Sequence, residues 1–188
     1  TERKTNETDI LVDLDLDGDG RADIDTGIGF FDHMLTAFAV HSGFDVRIVC
    51  KGDLEVDGHH TVEDTGIAMG RAFATAVGDK IDIARYGSFA LPMDESLAVC
   101  ALDVGGRAYT VFDADFRAER IGDLETQLIP EFFRAFATNA AVTLHLNAPY
   151  GENDHHKCEA LFKAFAHALR VATRIEGRGT LSSKGCMS

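Results

Sequence analysis

His59-His60-Thr61-Val62-Glu63 returns later in the chain as His155-His156-Lys157-Cys158-Glu159. The copies start 96 residues apart in a chain of 188, so the fold is best read as two like halves, 1–92 and 93–188, forming one compact unit. Each motif opens a helical pattern. After His59, residues Met69, Ala72, Phe73, Ala76 and Val77 share one side until Gly78-Asp79; after His155, Leu161, Phe162, Phe165 and Leu169 form a buried stripe.

The patterns ahead of the motifs also repeat. Ile10, Val12, Leu14 and Leu16 alternate as a strand. Asp17-Gly18-Asp19-Gly20 supplies a turn, and Arg21–Thr26 is expected to return as the hairpin partner. Phe31, Met34, Leu35 and Phe38 are spaced as a helix that stops at Gly43, and Phe44, Val46 and Ile48 read as a strand. In the second half Leu97–Val104 is a strand, Gly105-Gly106 a turn and Arg107–Phe112 its return; Phe132, Phe133 and Phe136 begin a helix, and Val142, Leu144 and Leu146 alternate. The expectation is an α+β fold, a tandem duplication of a β-α half with sheets side by side and helices packed on one face. Asp15, Asp17, Asp19 and Gly20 imitate a calcium loop, but Thr26 stands where a bidentate carboxylate is needed and the flanks read as strands.

A net charge of −13 argues against nucleic acid or an anionic membrane as partner, while leaving room for a local basic pocket. No apolar stretch is long enough to span a bilayer. Cys50, Cys100, Cys158 and Cys186 form no CxxC pair and suit a reducing compartment. A cytoplasmic location is expected, or a plastid one where a leader has been removed.

On a helix, His59 shares a face with Glu63, and so does His60, whereas adjacent histidines diverge by roughly 100°. One motif therefore feeds two ions more readily than one. Imidazole and carboxylate ligands suit Mn²⁺, Fe²⁺ or Zn²⁺, and two copies at matching places make a metal role the expected one. His33, in Asp32-His33-Met34, is a natural further ligand; His145 and His167 read as structural, and His41 follows the first helix.

The chain resembles the imidazoleglycerol-phosphate dehydratase family over nearly its whole length. The resemblance lies in Arg3-Lys4-Thr5-Asn6-Glu7-Thr8, Asp32-His33-Met34-Leu35, Gly52-Asp53-Leu54, His59-His60-Thr61-Val62-Glu63-Asp64 and Arg85-Tyr86-Gly87. It continues in Pro92-Met93-Asp94-Glu95, Asn153-Asp154-His155-His156, Glu159-Ala160-Leu161-Phe162-Lys163 and Ser182-Ser183-Lys184-Gly185. It implies conversion of imidazole glycerol phosphate to imidazole acetol phosphate and water in histidine biosynthesis, through an imidazolate held between two Mn²⁺ ions. It also implies a 24-subunit shell with sites between subunits.

By the resemblance, His33, His60 and Glu63 hold one ion, completed by a neighbour's His155, while His156 and Glu159 hold the other, completed by His59. Glu131 stands where the family commonly has a histidine before the Phe-Phe pair, and is counted as a ligand offering oxygen for nitrogen. Glu7 is the implied acid/base, with Glu63 and Glu159 also counted as catalytic. Substrate contact is expected from Glu7, His33, His41, His59 and His155, and phosphate contact from Arg85, Arg107, Lys163, Ser182, Ser183 and Lys184. Asp64, Asp94 and Glu95 are candidates for orienting ligating histidines. Two alternatives stay open: another dinuclear metal hydrolase acting on phosphate esters, and a non-catalytic metal-binding assembly protein.

Overall fold

The computed structural model describes residues 1–183. The first half contains β1 (Glu2–Lys4), β2 (Thr8–Asp15), β3 (Ala22–Asp25), α1 (Gly29–Ser42), β4 (Asp45–Gly52) and α2 (His59–Val77). The second contains β5 (Tyr86–Met93), β6 (Ser96–Asp103), β7 (Tyr109–Asp113), the short pair β8 (Arg120–Ile121) and β9 (Leu124–Glu125), α3 (Leu128–Ala140), β10 (Thr143–Tyr150) and α4 (Asp154–Ala172). The four-stranded sheets run β1-β2-β4-β3 and β5-β6-β10-β7, the same order twice. The class is α+β, with a tandem repeat; residue 92, the expected midpoint, lies inside β5.

Neither expected hairpin forms. β3 pairs with β4 in parallel, Ile24 opposite Ile48, and β7 pairs with β10 in parallel, His145 opposite Val111. The cause is local. The Asp45 carboxylate accepts from the Asp19 and Arg21 amides at 2.8 and 2.9 Å, drawing the Asp-Gly loop across the start of β4. In the second half the Thr143 hydroxyl donates to the Arg107 carbonyl at 3.0 Å, and the Tyr109 amide to the Val142 carbonyl at 3.2 Å. The return strand is thus delivered to the far edge each time, and a helix links the parallel pair.

Alternation sets the inner faces. Thr8, Ile10 and Val12 of β2 and Leu144 and Leu146 of β10 are buried, while Asp9, Asp13 and His145 point outward. Each half's helices lie against its own sheet, and the halves meet through their helices, α1 on α4 and α2 on α3. Phenylalanines fill that seam: Phe31 meets Phe132 edge-on with centroids 5.3 Å apart, Phe38 meets Phe165 at 5.5 Å and Phe73 meets Phe136 at 5.5 Å. α2 and α3 approach so closely that a Cβ on Gly66 would lie 2.7 Å from the Phe132 carbonyl oxygen, and one on Gly70 2.5 Å from that of Phe136. Cys50, Cys100 and Cys158 are buried free thiols, with burial pushing Cys50 up to about 11; Cys186 lies outside the described residues.

Candidate metal centre

Both His-His-x-x-Glu segments sit at helix starts. Asp57 accepts from the His59 amide at 2.7 Å, and the Asn153 side chain accepts from the amides of His155 and His156 at 2.9 and 3.3 Å. The adjacent rings diverge as helix geometry requires: His59 and His60 lie at 86° with centroids 6.1 Å apart, and His155 and His156 at 80° and 6.2 Å.

The first histidine of each pair faces its own glutamate. His155 Nε2 is 3.1 Å from Glu159 Oε2, and His59 Nε2 is 3.6 Å from Glu63 Oε2. His33, near the start of α1, brings its Nε2 within 3.5 Å of the same Glu159 oxygen. Among the described residues, His33, His155 and Glu159 are the one set of three such side chains whose donor atoms lie within 4.8 Å of one another. This regroups the expected ligands. His33 was to join His60 and Glu63, but α1 packs on α4, so His33 meets the motif of the other half.

The second histidine of each pair faces elsewhere. Asp53 lies 3.0 Å from His60 Nδ1, and Glu95 lies 2.8 Å from His156 Nδ1. Both imidazoles are raised above 6.5, chiefly by these hydrogen bonds. Each carboxylate holds the Nδ1 side and leaves Nε2 for another partner. Glu7 Oε1 is 3.6 Å from His60 Nε2, and Asp94 Oδ2 is 3.7 Å from His156 Nε2. Glu95 is held well below the usual carboxylate range by the Asn153 amide, then by His156.

Glu7 is placed by its neighbours. Arg3 and Thr8 both bind the buried Asp64 carboxylate, at 2.7 and 2.5 Å, tying the β1–β2 loop to α2. Asp64 is thus an anchor for that loop rather than a partner of a ligand.

Glu159 is nearly buried, which alone would raise its carboxyl; Lys163, 2.6 Å away, then His155 and His33 outweigh this and hold it below 4.5. Farther along α4, His167 Nε2 lies 3.1 Å from His41 Nδ1, and Phe89 stacks on His167 at 4.3 Å. Desolvation lowers both imidazoles. His41 therefore belongs to an imidazole pair whose other member was read as merely structural, a pairing that only the helix packing reveals.

Of the expected phosphate cations, Arg85 and Lys163 lie apart: Lys163 pairs with Glu159 near the start of α4, and Arg85 sits at its far end. Arg85 binds Asp103 through Nε at 2.7 Å and Nη2 at 2.9 Å, and also donates to the Leu181 carbonyl. Its amide donates to Ala172 at the end of α4. A Cβ on Gly105 would meet Arg85 Nη2 at 2.8 Å, so the turn leading to exposed Arg107 shares this corner, as does the segment entering Ser182 and Ser183. Ala172 lies thirteen residues along α4 from Glu159, about 20 Å at 1.5 Å per residue. Glu131, in the first turn of α3, forms an ion pair with Arg134. Lys184 lies outside the described residues.

Two imidazoles and an ionised carboxylate at this spacing fit a divalent transition metal. Comparison with known proteins returns a single family. Residues 26–169 match the family model described as imidazoleglycerol-phosphate dehydratase. A protein of that name from Methanosarcina mazei is 56% identical over 98% of this chain and 96% of its own length. One from Clostridioides difficile is 55% identical over 99% of this chain and 97% of its own. The crystal structure of the dehydratase from Staphylococcus aureus superposes with a TM-score of 0.83 at 39% identity, over 93% of this chain and 98% of that one. That of the Pyrococcus furiosus protein, in complex with (S)-C348, superposes at 0.87 and 36% identity, over 99% of each.

Proposed function

This chain belongs to the imidazoleglycerol-phosphate dehydratase family, hydro-lyases of histidine biosynthesis, and from that premise we propose that it works with two Mn²⁺ ions at sites completed by neighbouring subunits. The observation that carries the proposal is the meeting of His33, His155 and Glu159 from two different helices. The substrate is imidazole glycerol phosphate and the product imidazole acetol phosphate.

The carbon–hydrogen bond to be broken is not beside a carbonyl, so the electrons for expelling hydroxide come from the substrate's own ring. Bound cations supply the positive charge that favours an electron-rich, deprotonated ring. The residues of the chain do the rest. His33, His155 and Glu159 form one ligand set, and Lys163 keeps Glu159 ionised. His59 and Glu63 are the core of the second set. Asp53 and Glu95 orient His60 and His156, whose Nε2 atoms serve a neighbour's sets. Glu7, beside His60 Nε2, takes the proton from the substrate carbon once the hydroxyl has left.

The phosphate is received by the Arg85 and Arg107 corner with the C-terminal segment. That corner is about 20 Å along α4 from Glu159, so a small substrate spans both only if another copy supplies one of them. A closed shell of 24 subunits is the assembly proposed. The test is turnover of imidazole glycerol phosphate against simple phosphate esters with Mn²⁺ present. Dehydration without phosphate release is expected; phosphate release without dehydration would overturn the reading.

A further inference from the structure

We infer that His167 is a positioning residue: its Nε2–H holds His41 in the tautomer whose other ring nitrogen donates to the substrate's phosphate. The inference rests on the dehydratase reading above, with His41 as a substrate contact, and goes beyond it in giving His167 a role.

The α1–α4 seam carries the argument. From Lys157 to Leu169 every residue of α4 is buried except Lys163 and His167, four apart on the face that bears Glu159. Along that face Glu159 of the metal set comes first, then Lys163 at 2.6 Å from it, then His167, whose Nε2 lies 3.1 Å from His41 Nδ1. On the facing helix His41 stands about 12 Å beyond His33 at 1.5 Å per residue. A chain extending along the seam from a ring held at His33 meets Lys163 first and His41 next.

Helix packing by itself does not call for the imidazole pair. The repeat maps Lys163 and His167 onto Ile67 and Arg71, 96 residues earlier, and His41 onto Asn139, 98 residues later. On that seam Arg71 Nε donates to Asn139 Oδ1 at 3.2 Å. A guanidinium and an amide thus close the seam that has isoleucine in the place of the lysine, and two imidazoles close the seam that has the lysine and the metal set.

Desolvation, then Lys163 and His167, lower His41; desolvation, then Arg170, lower His167. Two neutral imidazoles share one proton between their facing nitrogens. Phe89 stacks on His167 with centroids 4.3 Å and planes 16° apart, which fixes the ring that donates. With His167 Nε2 donating, His41 carries its own proton on Nε2, as contact with an anion requires.

The experiment takes the assembled, Mn²⁺-loaded protein and measures kcat, KM for imidazole glycerol phosphate, and inhibition by inorganic phosphate. His167→Phe keeps a ring against Phe89 but has no donor. It should raise KM and the phosphate inhibition constant about tenfold, with kcat and bound Mn²⁺ within about twofold of the unmodified protein. His167→Gln, whose amide donates, should recover most of that loss. His41→Phe should raise KM at least as much, and adding His167→Phe to it should change nothing further. Should His167→Phe not assemble, His167→Ala takes its place in the comparison. An unchanged KM without the donor, a glutamine variant no better than the phenylalanine one, or effects that add in the double variant would overturn the inference. Failure of the unmodified protein to dehydrate imidazole glycerol phosphate would instead overturn the reading beneath it.

Discussion

His60 and His156 each carry a carboxylate on Nδ1, from Asp53 and Glu95, and these bonds leave Nε2 as the nitrogen for the metal proposed above. Asp53→Asn should weaken Mn²⁺ binding about 10–100-fold in a metal titration, with the circular dichroism of the fold unchanged. Unchanged affinity would mean that the Asp53 contact has no part in metal binding. Glu159→Gln should remove about one ion per chain by elemental analysis and reduce turnover more than 100-fold, because it takes the charge from the three-residue set. The motifs were legible in the sequence because helix spacing alone puts His155 beside Glu159. The partner of His33 was not, since nothing local states which helix α1 packs against. Lys163 was legible as a neighbour of Glu159, but only the 2.6 Å contact shows it holding that carboxylate ionised. Glu95 was legible as a candidate for orienting a histidine, and the fold puts its carboxylate 2.8 Å from His156 Nδ1.

Among elements, the α2–α3 seam depends on glycines. A methyl group on Gly70 would meet a backbone oxygen at 2.5 Å, which cannot swing away as a side chain can. Gly70→Ala should therefore destabilise the fold by about 1–3 kcal/mol in urea unfolding, despite alanine's better helix propensity. The start of α1, which carries His33, is held from the other half. The Asp123 carboxylate in the β8–β9 turn accepts from the amides of Gly29 and Phe30 at 2.6 and 2.8 Å. Burial would raise Asp123, but the Phe30 and Gly29 amides outweigh it and hold it below 3.8. A carboxyl depressed on folding stabilises above its unfolded pKa, so this contribution is full above about pH 4 and fades as pH falls through the folded value. Asp123→Ala should cost about 1 kcal/mol at neutral pH, and the gap from the unmodified protein should narrow in acid. Strands and helices were legible because periodicity reports which face is buried. Strand neighbours were not, since the same alternation suits a hairpin and a parallel crossover; side chains such as Asp45, remote in sequence, decide between them.

At the scale of the whole molecule, the candidate site residues are spread along the chain. The metal set and the Arg85 corner lie at opposite ends of α4, and His60 and His156 present Nε2 outside the set formed by His33. Two inactive variants, His33→Ala and His60→Ala, should therefore regain part of the activity when unfolded together and reassembled, because mixed contacts restore some complete sites. No recovery in verified mixed assemblies would favour sites built within single chains. The repeat was legible from two five-residue segments, whereas the separation of the Arg85 corner from Glu159 emerges only in the folded helix. The most direct test measures bound manganese per chain and dehydratase turnover on one sample, before chelation, after it, and after Mn²⁺ is restored. The account predicts two ions per chain, loss of turnover with loss of metal, and recovery of both together. A sample without transition metal that turns over equally well after exhaustive chelation would contradict it.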